Sequence, residues 1–224
     1  MMFQTQRLPN LFALVLLSVV VTLFSPGIPA ADFSITDALL DRIEKKYGKQ
    51  GRKQLMRLAD LVKNEIAGTE MEKVRKVNDF FNQITYKSDP VHWKKKDYWA
   101  TPIEKLGTGA GDCEDYSIAK YFTLKALGVP EKKMRIMYVY ALVQREAHMV
   151  MLYFPKLGGI PLVLDNLKKH IVSADKRTDL KPVYSFNGSN LWMSKEQGTG
   201  EKVGSSGRIS LWTDLMRRMD STEP

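Results

Sequence analysis

Apolar residues recur along the chain with two different periods, helical in the first half and strand-like in the second. From 34 to 48, Ile35, Leu39, Leu40 and Ile43 line one stripe. Ser34 and Asp37 stand as an approximate capping box, and Gly48 and Gly51 break the run. A second helix is predicted over 52–67, with Leu55, Leu58, Leu61, Val62 and Ile66 inward and Gly68 as its stop. Thr69 and Glu72 form a capping box that opens a third helix through about Ile84, its buried side marked by Val74, Val77, Phe80 and Phe81.

Residues 85–101 read as a long loop, rich in aromatic and cationic side chains. A loop of that length in a compact domain is often functional, although Trp93, Tyr98 and Trp99 can simply pin it to the body. The next helix is predicted over 112–127, with Ala119, Phe122 and Ala126 on one face and Gly128 then Pro130 as the stop. Strand-like runs follow at Met134–Val143, Ala147–Phe154, Ile160–Leu164 and Pro182–Phe186. The Gly- and Ser-rich stretch 196–208 reads as a mobile tail, followed by a short helix from Ser210 to Met219. Helices first and an antiparallel meander afterwards make an α+β domain, with helices packed on one sheet.

The N-terminus breaks this pattern. Arg7 is the single charge before Asp32, Leu11 to Phe24 is almost wholly apolar, and small residues and prolines follow to Ala31. That is the layout of a signal peptide cleaved after Ala30, leaving 31–224 as one domain. The alternative is an uncleaved anchor, for which the run is short of the ~20 residues a spanning helix needs.

Composition narrows the chemistry. With 44% hydrophobic and 26% charged residues among 224, the chain is globular rather than disordered. The formal charge is +9, or +8 once Arg7 leaves with the leader. The cations are scattered, the tract Lys94–Lys96 is only three long, and no nucleic-acid-binding motif accompanies them. One Cys excludes an internal disulfide, a CxxC pair and a multi-Cys metal centre. In an exported protein, a lone thiol is a liability unless it is buried or used.

That thiol is Cys113, in Gly107–Tyr116 (GTGAGDCEDY), where three glycines run into Asp112, Cys113, Glu114 and Asp115 at a helix start. Free N–H groups and the positive end of the helix dipole favour a thiolate there, and a backbone N–H can serve an oxyanion. Asp112 is a plausible N-cap. Three acids beside the thiol oppose its ionisation unless something positive stands near, either a histidine or a cation. His148 is the candidate base: on a strand it shares a face with Val150, Leu152 and Phe154. Asp165, ending Pro161–Asp165, is the candidate orienter, and neighbouring antiparallel strands can set the two side by side. His92 and His170 are rival bases. The acids Asp112, Glu114 and Asp115 offer hard oxygen donors suited to calcium, but without EF-hand spacing the pattern alone favours helix-capping acids.

Trp99, Thr101, Pro102, Glu104, Leu106, Gly109 and Gly111, then Asp112-Cys113-Glu114-Asp115, His148-Met149-Val150 and Leu164-Asp165-Asn166, together resemble the bacterial transglutaminase-like cysteine proteinases. Within that family the likeness is to the LapG-type periplasmic proteases, over roughly residues 35–193. The resemblance implies a papain/transglutaminase-like fold and a Cys113-His148-Asp165 triad. It implies calcium dependence, with Asp112 and Glu114 matching the family's calcium ligands and Asp115 as an addition. As substrate it implies the N-terminal region of a large surface adhesin, cut at a di-alanine site so that biofilm disperses. As regulator it implies an inner-membrane cyclic di-GMP receptor, whose periplasmic domain sequesters the protease. An amide transferase on the same triad, and a non-catalytic binding module using an aromatic groove near Trp93 and Trp99, are the alternatives.

Overall fold

The computed structural model describes residues 35–194 and 200–221. The leader assigned to 1–30 and the stretch 195–199 lie outside them. No helix among the described residues is long and apolar enough to cross a membrane.

The first two predicted helices are one element, α1 (Asp37–Glu65), broken at Gly48, whose φ of 77° and ψ of 179° are not helical. A positive φ is open to glycine at no steric cost, so the chain bends there and resumes. Thr36 caps α1, its hydroxyl accepting from the Leu39 N–H at 3.2 Å. α2 (Glu70–Phe81) begins on the predicted capping box, with both reciprocal Thr69–Glu72 bonds present. The predicted loop is more ordered than its composition indicates. It holds β1 (Thr85–Tyr86) and the short α3 (Asp89–His92), and leads to α4 (Pro102–Thr108), which the hydrophobic period missed. At seven residues, α4 is too short to show a period, but Thr101-Pro102-Ile103-Glu104 is a capping box with proline at the first turn. β2 (Ala110–Gly111) pairs in parallel with β1, setting Tyr86 opposite Gly111, two residues before the thiol.

α5 (Cys113–Ala126) is buried around almost its whole circumference, as its low amphipathicity requires. Beyond it come β3 (Met134–Ala141), β4 (Glu146–Tyr153), β5 (Leu162–Leu164), β6 (Val172–Ser173), β7 (Leu180–Phe186), β8 (Leu191–Ser194) and β9 (Gly200–Gly204). They form one antiparallel sheet in the order β6-β5-β4-β3-β7-β8-β9. Part of the stretch read as a mobile tail is therefore strand β9, paired on β8.

The main core lies between helices and sheet. Met149, Met151, Tyr153, Leu164, Ile136 and Phe186 meet Ile118, Leu124, Leu58 and Val77 there. The alternate residues of the same strands, among them Val139, Val150, Leu152, Phe154 and Val163, make a second, smaller cluster against Ala174 and Leu180. Burial on both faces is why β4 is apolar almost throughout. The face that His148 was expected to share with Val150, Leu152 and Phe154 thus belongs to the smaller cluster.

α6 (Ser210–Asp220) closes the helical side. Trp212 is 2% exposed and stacks on Phe122 with ring centroids 5.6 Å apart, while Leu215 is fully buried. Arg218 reaches back to Glu104 Oε2 at 2.6 Å, tying α6 to the cap of α4. Trp212→Ala leaves a large void among three aromatic neighbours, Tyr121, Phe122 and Phe186, and is expected to lower stability by about 3–5 kcal/mol. Denaturant titration of the variant checks this.

Candidate active site

The two-residue ladder β1–β2 delivers the chain to the N-terminus of α5, so Cys113 occupies the first helical position. Gly111 is needed here for close approach. A Cβ on it would meet the Asp115 carboxylate and lie 2.8 Å from Lys105 Nζ. His148 lies near the start of β4, and Asp165 follows β5 directly. The register of β4 with β5, Met151 opposite Leu164, brings both ends to one place. His148 Nε2 and Asp165 Oδ1 are 2.8 Å apart, with the residues 4% and 1% exposed.

Cys113 and His148 line one cleft of about 820 Å³, together with Tyr86, Trp99, Tyr138, Tyr184 and Leu211. Cys113 is half-buried, and its Sγ donates to Glu114 Oε2 at 3.0 Å rather than to the imidazole. Burial first, and then the Glu114 charge, push the thiol well above its ordinary pKa. His92 instead meets Thr108 Oγ1 at 3.0 Å, and neither it nor His170 lines this cleft.

Asp165 is held on every side. Leu167 N–H donates to Oδ1 at 3.0 Å, and Arg177 Nη2 donates to Oδ2 at 2.7 Å. Burial opposes ionisation, but the bond to His148, the His148 charge and these donors outweigh it, holding the carboxyl well below the usual range. Its backbone is held as well. Asn82 Nδ2 and Lys120 Nζ both donate to the Asp165 carbonyl, at 2.8 and 3.3 Å. Lys120, fully buried and pushed down to about 7 by burial, also donates to Asn78 Oδ1 and Asn82 Oδ1 at 3.0 and 2.8 Å. Asn78 sits among the apolar positions of α2 and Asn82 one turn on at its C-cap, a sign in the sequence that this face meets something polar.

The acidic block divides in two. Asp112 and Glu114 are joined by Asp89, from the start of α3, and one carboxylate oxygen of each lies within 4.8 Å of the others. Asp97 stands beside Glu114, raised by burial and then by the Glu114 charge. Asp112 takes the N-cap position of α5, yet its side chain makes no capping bond. Asp115 turns the other way. Its Oδ1 accepts from Ala100 N–H at 2.7 Å, and its charge is opposed by the fully buried Lys105, whose Nζ lies 3.4 Å over the Tyr116 ring. The cluster therefore takes Asp89 where the sequence reading had Asp115. Nothing in the sequence marks Asp89, which precedes a proline 25 positions before Glu114.

These carboxylates strain one another. Burial, then Glu114, Asp115 and Asp89, push Asp112 up to about 10, and burial takes Asp89 up to about 6 against the opposing Tyr98 N–H. Asp89 Oδ1 and Asp112 Oδ1 are buried without a hydrogen-bond partner. An all-oxygen set with orphaned, mutually repelling carboxylates fits a hard divalent cation.

The family model of bacterial transglutaminase-like cysteine proteinases matches residues 49–197. Three solved structures of Legionella pneumophila LapG, described as EGTA-treated, without qualification and calcium-bound, are each 40% identical over 81% of this chain. They are covered over 97%, 97% and 99% of their own lengths, at TM-scores of 0.71, 0.70 and 0.69. No curated protein sequence matches. A helix-borne thiol facing a strand-borne histidine, a matching family model and a shared fold at 40% identity lead to one statement: the chain belongs to the bacterial transglutaminase-like cysteine proteinases.

Proposed function

We propose that this chain is a calcium-dependent periplasmic cysteine endopeptidase with Cys113, His148 and Asp165 as its triad. The observation that carries the reading is the cleft that holds the single thiol, at a helix N-terminus, beside a histidine already fixed by a buried aspartate. Asp165 accepts from Nε2–H, so Nδ1 is the ring nitrogen free to act as base. His148 takes the proton from Cys113 Sγ, which attacks the substrate carbonyl carbon. The Cys113 backbone N–H, free at the helix start, donates to the oxyanion. His148 returns the proton to the leaving amine as the C–N bond breaks, and a thioester remains. Water, deprotonated by His148, then releases the acid and the thiol.

Asp89, Asp112 and Glu114 would hold calcium, which neutralises the charge beside the thiol and occupies the Glu114 oxygens that now accept from it. That a relative 40% identical was solved calcium-bound supports calcium as the ion.

The substrate proposed is the N-terminal region of a large surface adhesin, cut at an alanine pair so that the adhesin leaves the surface and biofilm disperses. An inner-membrane cyclic di-GMP receptor would restrain the enzyme through its periplasmic domain. Trp99, Tyr138 and Tyr184 line the cleft together with Cys113 and offer apolar, aromatic walls to the residues flanking the cut. Incubating the purified chain with an N-terminal adhesin fragment is expected to give one cut between paired alanines, lost when the pair becomes Arg-Arg. Incorporation of a labelled amine in place of hydrolysis would establish the amide transferase instead.

A further inference from the structure

We infer that Arg177 is the positioning residue of the triad, fixing the rotation of the Asp165 carboxylate so that one oxygen always faces His148. The inference rests on the triad assigned above. A carboxylate turns about its last torsion with broad freedom. Held only through Oδ1, that of Asp165 could swing away from Nε2. Arg177 prevents this by donating Nη2 to Oδ2 at 2.7 Å.

The arginine is itself immobilised. Nε and Nη2 donate to Asp179 Oδ1 and Oδ2, each at 3.0 Å, and Asp179 also accepts from Lys168 at 3.1 Å. Both side chains of the Arg177–Asp165 pair are almost wholly removed from water, at 2% and 0% exposure. The planar fork explains the residue type, since one guanidinium serves two carboxylates at once, which the point charge of a lysine does not. Arg177 lies between β6 and β7, in a segment that supplies neither the thiol, the base nor the acid, and it reaches the triad from behind.

Without Arg177, Oδ2 is buried with no donor. The carboxylate then rotates or takes up a proton, Nε2–H loses its fixed acceptor, and Nδ1 is no longer kept free for the thiol. A tie that served only to pin residues 174–180 over the smaller cluster would lower stability or substrate binding and leave turnover alone.

The test uses the full chain with calcium and a quenched peptide containing an alanine pair. Arg177→Ala is expected to lower kcat by about 100-fold with KM within about threefold, and to slow alkylation of Cys113 by iodoacetamide to a similar degree. Guanidinium at tens of millimolar should restore about tenfold. It can enter through the apolar cavity of about 750 Å³ that Arg177 lines with Val139, Leu152, Val163 and Leu180. Arg177→Lys keeps the charge but not the fork, and is expected to lose about tenfold in kcat. It decides the matter if the alanine variant fails to melt cooperatively. A folded variant with wild-type kcat, a rise in KM alone, or no rescue by guanidinium overturns the inference. Cys113→Ala, run beside them, separates the failures: if it still cleaves, the triad itself is wrong, and if it is inert while Arg177 variants turn over normally, only the role of Arg177 is.

Discussion

Cys113→Ala is expected to remove cleavage altogether, with kcat falling by about 10⁴-fold or more. Losing the nucleophile of a triad costs nearly as much as losing the whole triad. No second thiol in the chain can substitute, because Cys113 is the one cysteine in the sequence. Folding should scarcely change. The side chain is small and half-buried, and its hydrogen bond to Glu114 at 3.0 Å stands among carboxylates that repel one another. A stability change under about 1 kcal/mol is expected. Product mass spectra with the adhesin fragment, set beside thermal midpoints, check both parts. Cleavage retained by a folded Cys113→Ala protein would mean that the chain works through another group or only binds.

Chelation of calcium is the second large effect, a loss of about 100-fold or more in turnover. Its cause is the cluster of Asp89, Asp112 and Glu114 around the thiol. Without a cation, Asp112 is pushed up to about 10 and Asp89 up to about 6, both chiefly by burial. Near pH 7, Asp112 therefore carries a proton that must leave before it can ligate. Calcium binding is expected to release about one proton at that pH, and affinity should rise with pH. Calorimetry in two buffers of different ionisation enthalpy measures this.

The sign for stability follows from the same shifts. A carboxyl whose folded pKa is raised lends stability that is complete below its unfolded value, near pH 4, and is lost as pH rises through the folded value. In chelator the Asp89 contribution is thus lost between about pH 4 and 6, and that of Asp112 continues to fall above it. Calcium reverses the trend, adding about 2.7 kcal/mol when present at a hundred times its dissociation constant. Asp89→Asn should weaken calcium binding. Asp115→Asn should mainly destabilise, because it leaves the buried Lys105 without its counter-charge. Unchanged cleavage in chelator would remove the metal from the mechanism, and equal calcium affinity in wild type and Asp89→Asn would remove Asp89 from the ligand set.

The sequence carried its information where a short stretch of chain suffices to express it. Thr69 with Glu72 opened α2 as expected, and the apolar runs marked the strands that became β3 and β4. Cys113 stood out because glycines, acids and a helix start were adjacent. The element breaks were harder to read. Gly48 and Gly51 signalled an end, yet the chain only bends at Gly48 and continues as α1, since the helix on both sides has an apolar face to bury. α4 lay unnoticed although its capping box was in plain view, because seven residues give hydrophobic periodicity too little length.

By itself, then, the sequence determined the α+β order, the thiol at the head of a helix, a histidine on one strand and an aspartate at the end of the next. Those features depend on local spacing and on alternation, which a chain displays one residue after another. Only the tertiary structure decided the partners. It joined Asp89 to Asp112 and Glu114, turned Asp115 toward Lys105, and set Arg177, Asn82 and Lys120 around Asp165. The physical reason is that a buried charge is satisfied by whatever donor or counter-charge the packing brings near, from any distance along the chain. No local pattern announces that partner, because the residue supplying it is placed by the pairing of strands and the docking of helices.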